Sequence, residues 1–185
     1  MNANLAYQEE PREELLNGEI YMMSSPTVNH NRVASHIFNA FFNHLKGKTC
    51  EAFADGTDVY LAENDRVIPD VMIVCNKGIV KRDGIHGAPD LVVEVLSPST
   101  AKNDRGYKRE LYEKAGVKEY WIADPETRSI EAYLLSDGKF VLGGFYQLAS
   151  DDMIERDREA CIETVPVSLY SDFSIPLEEI FYNLF

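Results

Sequence analysis

The chain has 185 residues, 45% of them apolar and 26% charged, with 18 Lys or Arg against 31 Asp or Glu and a net charge of −13. These values suit one globular domain spanning 1–185 with a sizeable core, and they exclude a disordered, collagenous or coiled-coil chain. No apolar run approaches the roughly 20 residues needed to cross a bilayer, and the glutamate-rich start (Glu9, Glu10, Glu13, Glu14) lacks the basic-then-apolar order of a signal peptide.

In chain order, residues 18–23 read as a short strand after a turn, ended by Ser24-Ser25-Pro26. A helix follows, because Val33, Ala34, Ile37, Phe38, Phe41, Phe42 and Leu45 recur at helical spacing, with Asn29 or Asn31 as cap and Gly47 as stop. Three extended stretches come next, 51–61, 67–75 and 90–96, with Asp55-Gly56 bending the first and Pro98 ending the third. A second helix runs from Thr100 or Asp104 to Ala115, with Tyr107, Leu111 and Ala115 as its apolar stripe and Gly116 as its stop. A fourth strand covers 119–123, and Asp137-Gly138 joins 129–135 to 139–142 as an added antiparallel hairpin. The charged segment 150–163 reads as peripheral, and the aromatic 175–185 as a short helix that either lids the core or makes a dimer contact. The central order is therefore helix, strand, strand, strand, helix, strand.

Cys50, Cys75 and Cys161 are odd in number, far apart and in no CxxC arrangement, which predicts no disulfide framework, a core role for Cys75 and a reducing cytoplasmic home. The charge is polarised. Residues 77–118 carry nine bases against six acids, a local +3, and the rest carries nine bases against 25 acids, or −16. Any contact with nucleic acid must therefore be local, salt-sensitive and weak.

Two acids stand in apolar strands: Asp70 in Pro69-Asp70-Val71-Met72-Ile73-Val74, and Glu94 in Leu91-Val92-Val93-Glu94-Val95-Leu96. An ionised side chain in such a run needs a partner. On adjacent strands the two would repel unless a cation bridged them, and Mg²⁺ suits one or two carboxylates, a carbonyl and waters. The position beside Glu94 on its own face is Leu96, not a lysine, so the nearest cation is Lys108, placed on the following helix with Asp104 and Tyr112 at i, i+4, i+8. Lys108 would orient or deprotonate water, or simply pair with Asp104. Among His30, His36 and His44, spacings of six and eight put no pair on one face, leaving His30 alone as a candidate near the site. Glu19 is a further accessory candidate, while Tyr120 and Trp121, though able to stack on bases, sit in a strand that favours the core.

The string from Ala88 to Thr100, then Asp104, Lys108, Tyr112, Gly116-Val117 and Glu119-Tyr120-Trp121-Ile122-Ala123-Asp124-Pro125, resembles the Uma-type putative restriction endonuclease family of the PD-(D/E)xK nuclease superfamily. Gly18-Glu19-Ile20, Met23, His30 and Pro69-Asp70-Val71 extend the similarity over most of the chain. The resemblance implies an α/β (α+β) restriction-endonuclease-like αβββαβ core with added antiparallel strands. It also implies a Mg²⁺- or Mn²⁺-dependent endonuclease acting on DNA, with Asp70 and Glu94 as metal ligands, the Val95 carbonyl as a third, and Lys108 replacing the superfamily's strand lysine. Glu19, His30 and Asp104 are accessory candidates. A cytoplasmic homodimer is expected. The rival readings are a catalytically inactive nuclease-fold interaction module and an enzyme acting on another phosphate ester.

Overall fold

In the computed structural model, residues 12–149, 153–154 and 162–185 are described. Strands β1 (Glu13–Leu16) and β2 (Glu19–Met22) form a hairpin around Asn17-Gly18. Both turn residues have positive φ, 54° and 78°, as a type I′ turn requires. The sequence shows β2 but not its partner β1.

Helix α1 (Val28–Leu45) is capped by Thr27, whose Oγ1 accepts the His30 amide at 3.2 Å, rather than by Asn29 or Asn31. It buries Val33, Ala34, Ile37, Phe41 and Leu45 and leaves Phe42 exposed. The expected strand 51–61 is broken at Asp55-Gly56 into β3 (Glu51–Ala54) and β4 (Val59–Ala62), which join different sheets. The expected strand 67–75 likewise divides: Val67 ends β5 (Asp65–Val67), and only β6 (Val71–Val74) enters the main sheet.

A small hairpin, β7 (Val80–Lys81) and β8 (Gly84–His86), precedes β9 (Leu91–Val95). The second helical stretch has three parts: α2 (Ala101–Asn103), a π-helical turn (Asp104–Lys108) and α3 (Arg109–Ala115), ended by Gly116 at φ 89°. Then come β10 (Glu119–Asp124), β11 (Ser129–Ser136), β12 (Lys139–Gln147), β13 (Thr164–Pro166), β14 (Ser174–Pro176) and α4 (Leu177–Ile180). The expected peripheral placement of 150–163 falls largely outside the described residues.

The main sheet has the order β12-β11-β10-β9-β6-β3, with β9 and β10 parallel and every other neighbouring pair antiparallel. Helix, three strands, helix and strand thus form the expected mixed αβββαβ core, extended by the antiparallel β11 and β12. A second sheet, β2-β1-β5-β4-β8-β7, covers part of the face that α3 also covers. Successive residues of a strand point to opposite faces. Val71, Ile73, Leu91, Val93 and Trp121 meet α1 and the C-terminal segment, while Met72, Val74, Val92, Tyr120 and Ile122 meet Tyr112, Leu111 and the second sheet. Both faces are covered, so these strands read as continuous apolar runs. Each fully buried aliphatic side chain among them contributes about 1.5–3 kcal/mol relative to exposure.

Leu177, Ile180 and Phe181 are buried in the α1 cluster, so the C-terminal segment is a lid on the core. The cysteine expectation is corrected. Cys50 and Cys75 are joined by a disulfide across 25 residues, because the β3–β6 register, Glu51 opposite Val74, brings the flanking residues together. Cys161 lies outside the described residues.

Candidate active site

Asp70 directly precedes β6, and continuing the register of Val71 opposite Val93 places it across from Glu94 on β9. Both acids share the sheet face that meets the second helical stretch. Asp70 Oδ2 accepts the Val95 amide at 2.7 Å and lies 3.3 Å from His30 Nε2. Glu94 Oε1 accepts from Lys108 Nζ at 3.0 Å and from the Tyr112 hydroxyl at 2.6 Å. These bonds use one oxygen of each carboxylate, so among the described residues Asp70 Oδ1 and Glu94 Oε2 are the uncommitted pair.

Lys108 is only 2% exposed and has three acidic partners: Glu14 Oε1 at 2.8 Å, Glu94 Oε1 at 3.0 Å and Asp104 Oδ1 at 3.6 Å. The expected stripe of Tyr107, Leu111 and Ala115 is rotated. The structure buries Asp104, Lys108, Leu111 and Tyr112, and leaves Tyr107 and Ala115 only half-buried. The cause is polar: Glu94 and Glu14 draw Lys108 and Tyr112 inward. The π turn assists, since its Asp104 carbonyl accepts the Tyr120 hydroxyl at 2.9 Å, and such widened turns recur at functional sites.

The sequence reading missed Glu14. Its Oε1 also accepts the Ile68 amide at 2.9 Å, so β1 grips the chain just before Asp70 and supports Lys108. The available signal was the period of two in Glu13-Glu14-Leu15-Leu16, which places Glu14 with the buried Leu16. Glu19, by contrast, is exposed on β2, where it accepts the Tyr21 hydroxyl at 3.2 Å, and it does not line the cleft. Trp121 and Tyr120 are core residues, as expected.

Asp70, Glu94, Val95, Lys108, His30 and Asp104 all line one cleft, whose free space of about 40 Å³ accommodates roughly three waters. Burial pushes Glu94 well above the ordinary carboxylate range against the opposing pull of Lys108, and repulsion from Asp104, Asp70 and Glu14 adds to the rise. Asp104 is raised mainly by burial too. Burial alone would lower Lys108, but Glu94, Glu14 and Asp104 together hold it well above the ordinary lysine value. Lys108 is therefore an ammonium at neutral pH, which leaves it no lone pair with which to take a proton from water.

The fit of a divalent cation can be judged from these atoms. Among the described residues no three His, Cys, Asp or Glu groups are arranged to hold an ion by themselves. Two hard carboxylate oxygens remain uncommitted, and the buried Asp104 Oδ1 and His30 Nδ1 lack hydrogen-bond partners at the same cleft. The donor set suits an ion that keeps most of its waters, as Mg²⁺ does. The Val95 amide orients Asp70, which leaves its carbonyl as the expected third donor.

The basic segment is largely neutralised. Lys77 pairs with Glu51, Arg105 with Glu131, Lys114 with Glu110 and Lys118 with Asp90, at 2.7–3.8 Å, while Arg109 lies over the Tyr133 ring. Among the described residues Lys81, Arg82 and Lys102 keep no such partner. The local +3 thus offers far less free positive surface than the sequence suggests.

Residues 3–158 match the model of the Uma2 family, described as putative restriction endonuclease. The chain belongs to the Uma2 family. Two relatives from Synechocystis sp. (strain ATCC 27184 / PCC 6803 / Kazusa), both uncharacterized, are similar to this Uma2 chain. Protein slr1290 is 32% identical over 72% of each chain, and protein sll1609 is 25% identical over 66% of this chain and 71% of its own. The fold resembles that of a crystal structure described as a putative nuclease belonging to DUF820, from Anabaena variabilis ATCC 29413. The TM-score is 0.70 at 19% identity, with 94% of this chain and 91% of that one covered. At that identity the likeness speaks for the fold alone.

Proposed function

We propose that this Uma2 chain is an endonuclease that hydrolyses DNA phosphodiester bonds with Mg²⁺ or Mn²⁺. The observation that carries the reading is the convergence of Asp70, Glu94 and Lys108, from three separate elements, on one cleft, with an oxygen of each carboxylate uncommitted. Asp70 and Glu94, with the Val95 carbonyl, would hold the ion. The bound cation would polarise the phosphate and acidify a water. Lys108, fixed by Glu14 and Glu94, would orient that water for in-line attack and stay charged as the phosphate gains negative charge. His30 would hold Asp70 in place from α1, and Asp104 would help keep Lys108 protonated.

The reading includes one restriction-endonuclease-like domain over 1–185, a homodimer, a cytoplasmic setting and weak, local DNA contact. Exposed Ile20 and Met22 on β2, and Val141 and Phe145 on β12, are apolar side chains a dimer interface could use. Among the described residues no helix is long and apolar enough to cross a membrane. In a reducing cytoplasm the Cys50–Cys75 bond would be subject to reduction.

The test is a cleavage panel of supercoiled, linear, single-stranded and branched DNA, plus RNA, with Mg²⁺ or Mn²⁺. Wild type is compared with Glu94→Ala and Lys108→Ala. Activity confined to wild type supports the reading, and equal activity in all three overturns it. One observation favours a second reading, an inactive nuclease-fold module: three carboxylates already satisfy Lys108 as a buried ion cluster. Calorimetry separates the two. A nuclease binds Mn²⁺ and loses it in Asp70→Ala, whereas the module binds none.

A further inference from the structure

The cleft is lined by five carboxylates, Glu14, Asp55, Asp70, Glu94 and Asp104, against two permanent cations, Arg12 and Lys108. A phosphodiester entering it needs positive charge it can reach. Lys108 is buried and shared among three acids, so it cannot leave them without stranding buried charge. Arg12 is different. Its side chain is 41% exposed and its guanidinium fork grips Asp55 with both ends, Nη1 to Oδ2 at 2.8 Å and Nη2 to Oδ1.

The position of Arg12 is set by the β1–β2 ladder. The Met23 amide donates to the Arg12 carbonyl at 2.9 Å, which continues the register of Glu13 opposite Met22 by one step. Arg12 therefore shares a strand face with Glu14, the residue that supports Lys108. The bond to Asp55 dominates the environment of the guanidinium, and the fields of Asp70 and Glu14 reach it as well. Its partner Asp55 sits in the β3–β4 turn, itself partly exposed, so the pair can open without moving either sheet.

A guanidinium fork accepts a carboxylate and a phosphate with the same two parallel hydrogen bonds. We propose that Arg12 is the phosphate-binding residue of the cleft, and that Asp55 occupies it in the resting protein as a built-in carboxylate competitor for the DNA phosphodiester. The inference rests on the nuclease reading for the identity of the ligand. On binding, the phosphate displaces Asp55 into solvent, and Arg12 supplies one positive charge beside the candidate metal ligands. Exposed ion pairs are weakly held, so the exchange is accessible.

The two partners then have opposite effects, which a mere structural salt bridge would not produce. The probe is a fluorescein-labelled DNA oligonucleotide, single-stranded or duplex, followed by anisotropy at low salt with Ca²⁺ replacing Mg²⁺. Arg12→Gln should weaken binding roughly tenfold, as loss of a charged bidentate contact implies, with Arg12→Lys intermediate. Asp55→Asn should tighten binding several-fold and lower KM wherever cleavage is measurable. Trp121 fluorescence melts confirm that each variant is folded. Weakening by both substitutions, no change in either, or no binding by wild type overturns the proposal. If cleavage fails to depend on Asp70 while the opposed binding shifts persist, the nuclease reading falls and the Arg12 site stands.

Discussion

Replacing Lys108 by Met keeps most of the buried volume and removes only the ammonium. Glu14, Glu94 and Asp104, within 2.8–3.6 Å of Lys108 Nζ, then lose their shared counter-charge, with side chains that are 7%, 4% and 1% exposed. Stranding one member of a buried pair costs about 3–5 kcal/mol, which for a chain of this size lowers the melting temperature by roughly 6–20 °C. The loss depends on pH. Glu94 is already raised by burial, and Lys108 is what holds it down, so the substitution raises it further. An acid whose folded value lies above its unfolded value costs stability as pH rises between the two. The deficit relative to wild type should therefore be smallest in acid, where the carboxylates are protonated in both proteins, and grow as pH rises through the raised folded value of Glu94. Trp121 is the sole tryptophan and is fully buried, so urea melts followed by its fluorescence report unfolding directly. A loss below about 1 kcal/mol near neutral pH, the level of an exposed pair, or a loss independent of pH, would refute the account of a charge-balanced cluster.

Glu14→Gln keeps an acceptor for the Ile68 amide but removes a charge from Lys108, so metal-dependent cleavage should fall about tenfold or more with the melting curve little changed; wild-type activity would remove Glu14 from the site. Glu119 is buried, accepts from Trp121 Nε1 and Ser168, and is raised mainly by desolvation, so its contribution to stability is fullest below about pH 4.5 and declines as pH rises through its folded value. Stability curves of wild type and Glu119→Gln should consequently draw together or cross with rising pH, and a constant separation would contradict the shift. Reducing the Cys50–Cys75 bond opens a loop of 25-residue separation and should lower stability by about 3 kcal/mol on the chain-entropy account, read from urea melts with and without dithiothreitol. Superimposable melts would show the bond to be energetically silent.

The core was legible where local pattern and environment agree. Helix α1 shows its buried face in the spacing of Val33, Ile37 and Phe41, and β6 and β9 show their double burial as unbroken apolar runs. Asp70 and Glu94 stood out because each interrupts such a run. What stayed hidden depends on partners distant in sequence. Strand β1 is short and acidic, and the role of Glu14 appears only once Lys108 arrives from 94 residues further along. Residues 51–61 look continuous, yet the turn at Asp55-Gly56 sends the two halves to different sheets. The stripe of the second helix followed apolarity, whereas buried acids on facing strands rotated it toward Lys108 and Tyr112. The basic segment misled for the same reason: Glu51 and Glu131, which lie outside it, neutralise Lys77 and Arg105, charges that a count along the segment leaves free.

The two walls of the cleft differ in how they are anchored. Glu94 stands on β9, and Asp70 directly before β6, in a sheet covered on both sides, whereas Arg12 and Glu14 belong to a hairpin whose outer strand, β2, pairs among the described residues only with β1. Amide hydrogens of β6, β9 and β10, in strands covered on both faces, should exchange through larger openings than those of the hairpin, which is tied to β5 by the single pairing of Leu15 with Arg66. The two walls are nonetheless joined through Glu14, whose carboxylate binds both Lys108 and the Ile68 amide, so widening the cleft costs the hairpin's pairing and part of the buried ion cluster together.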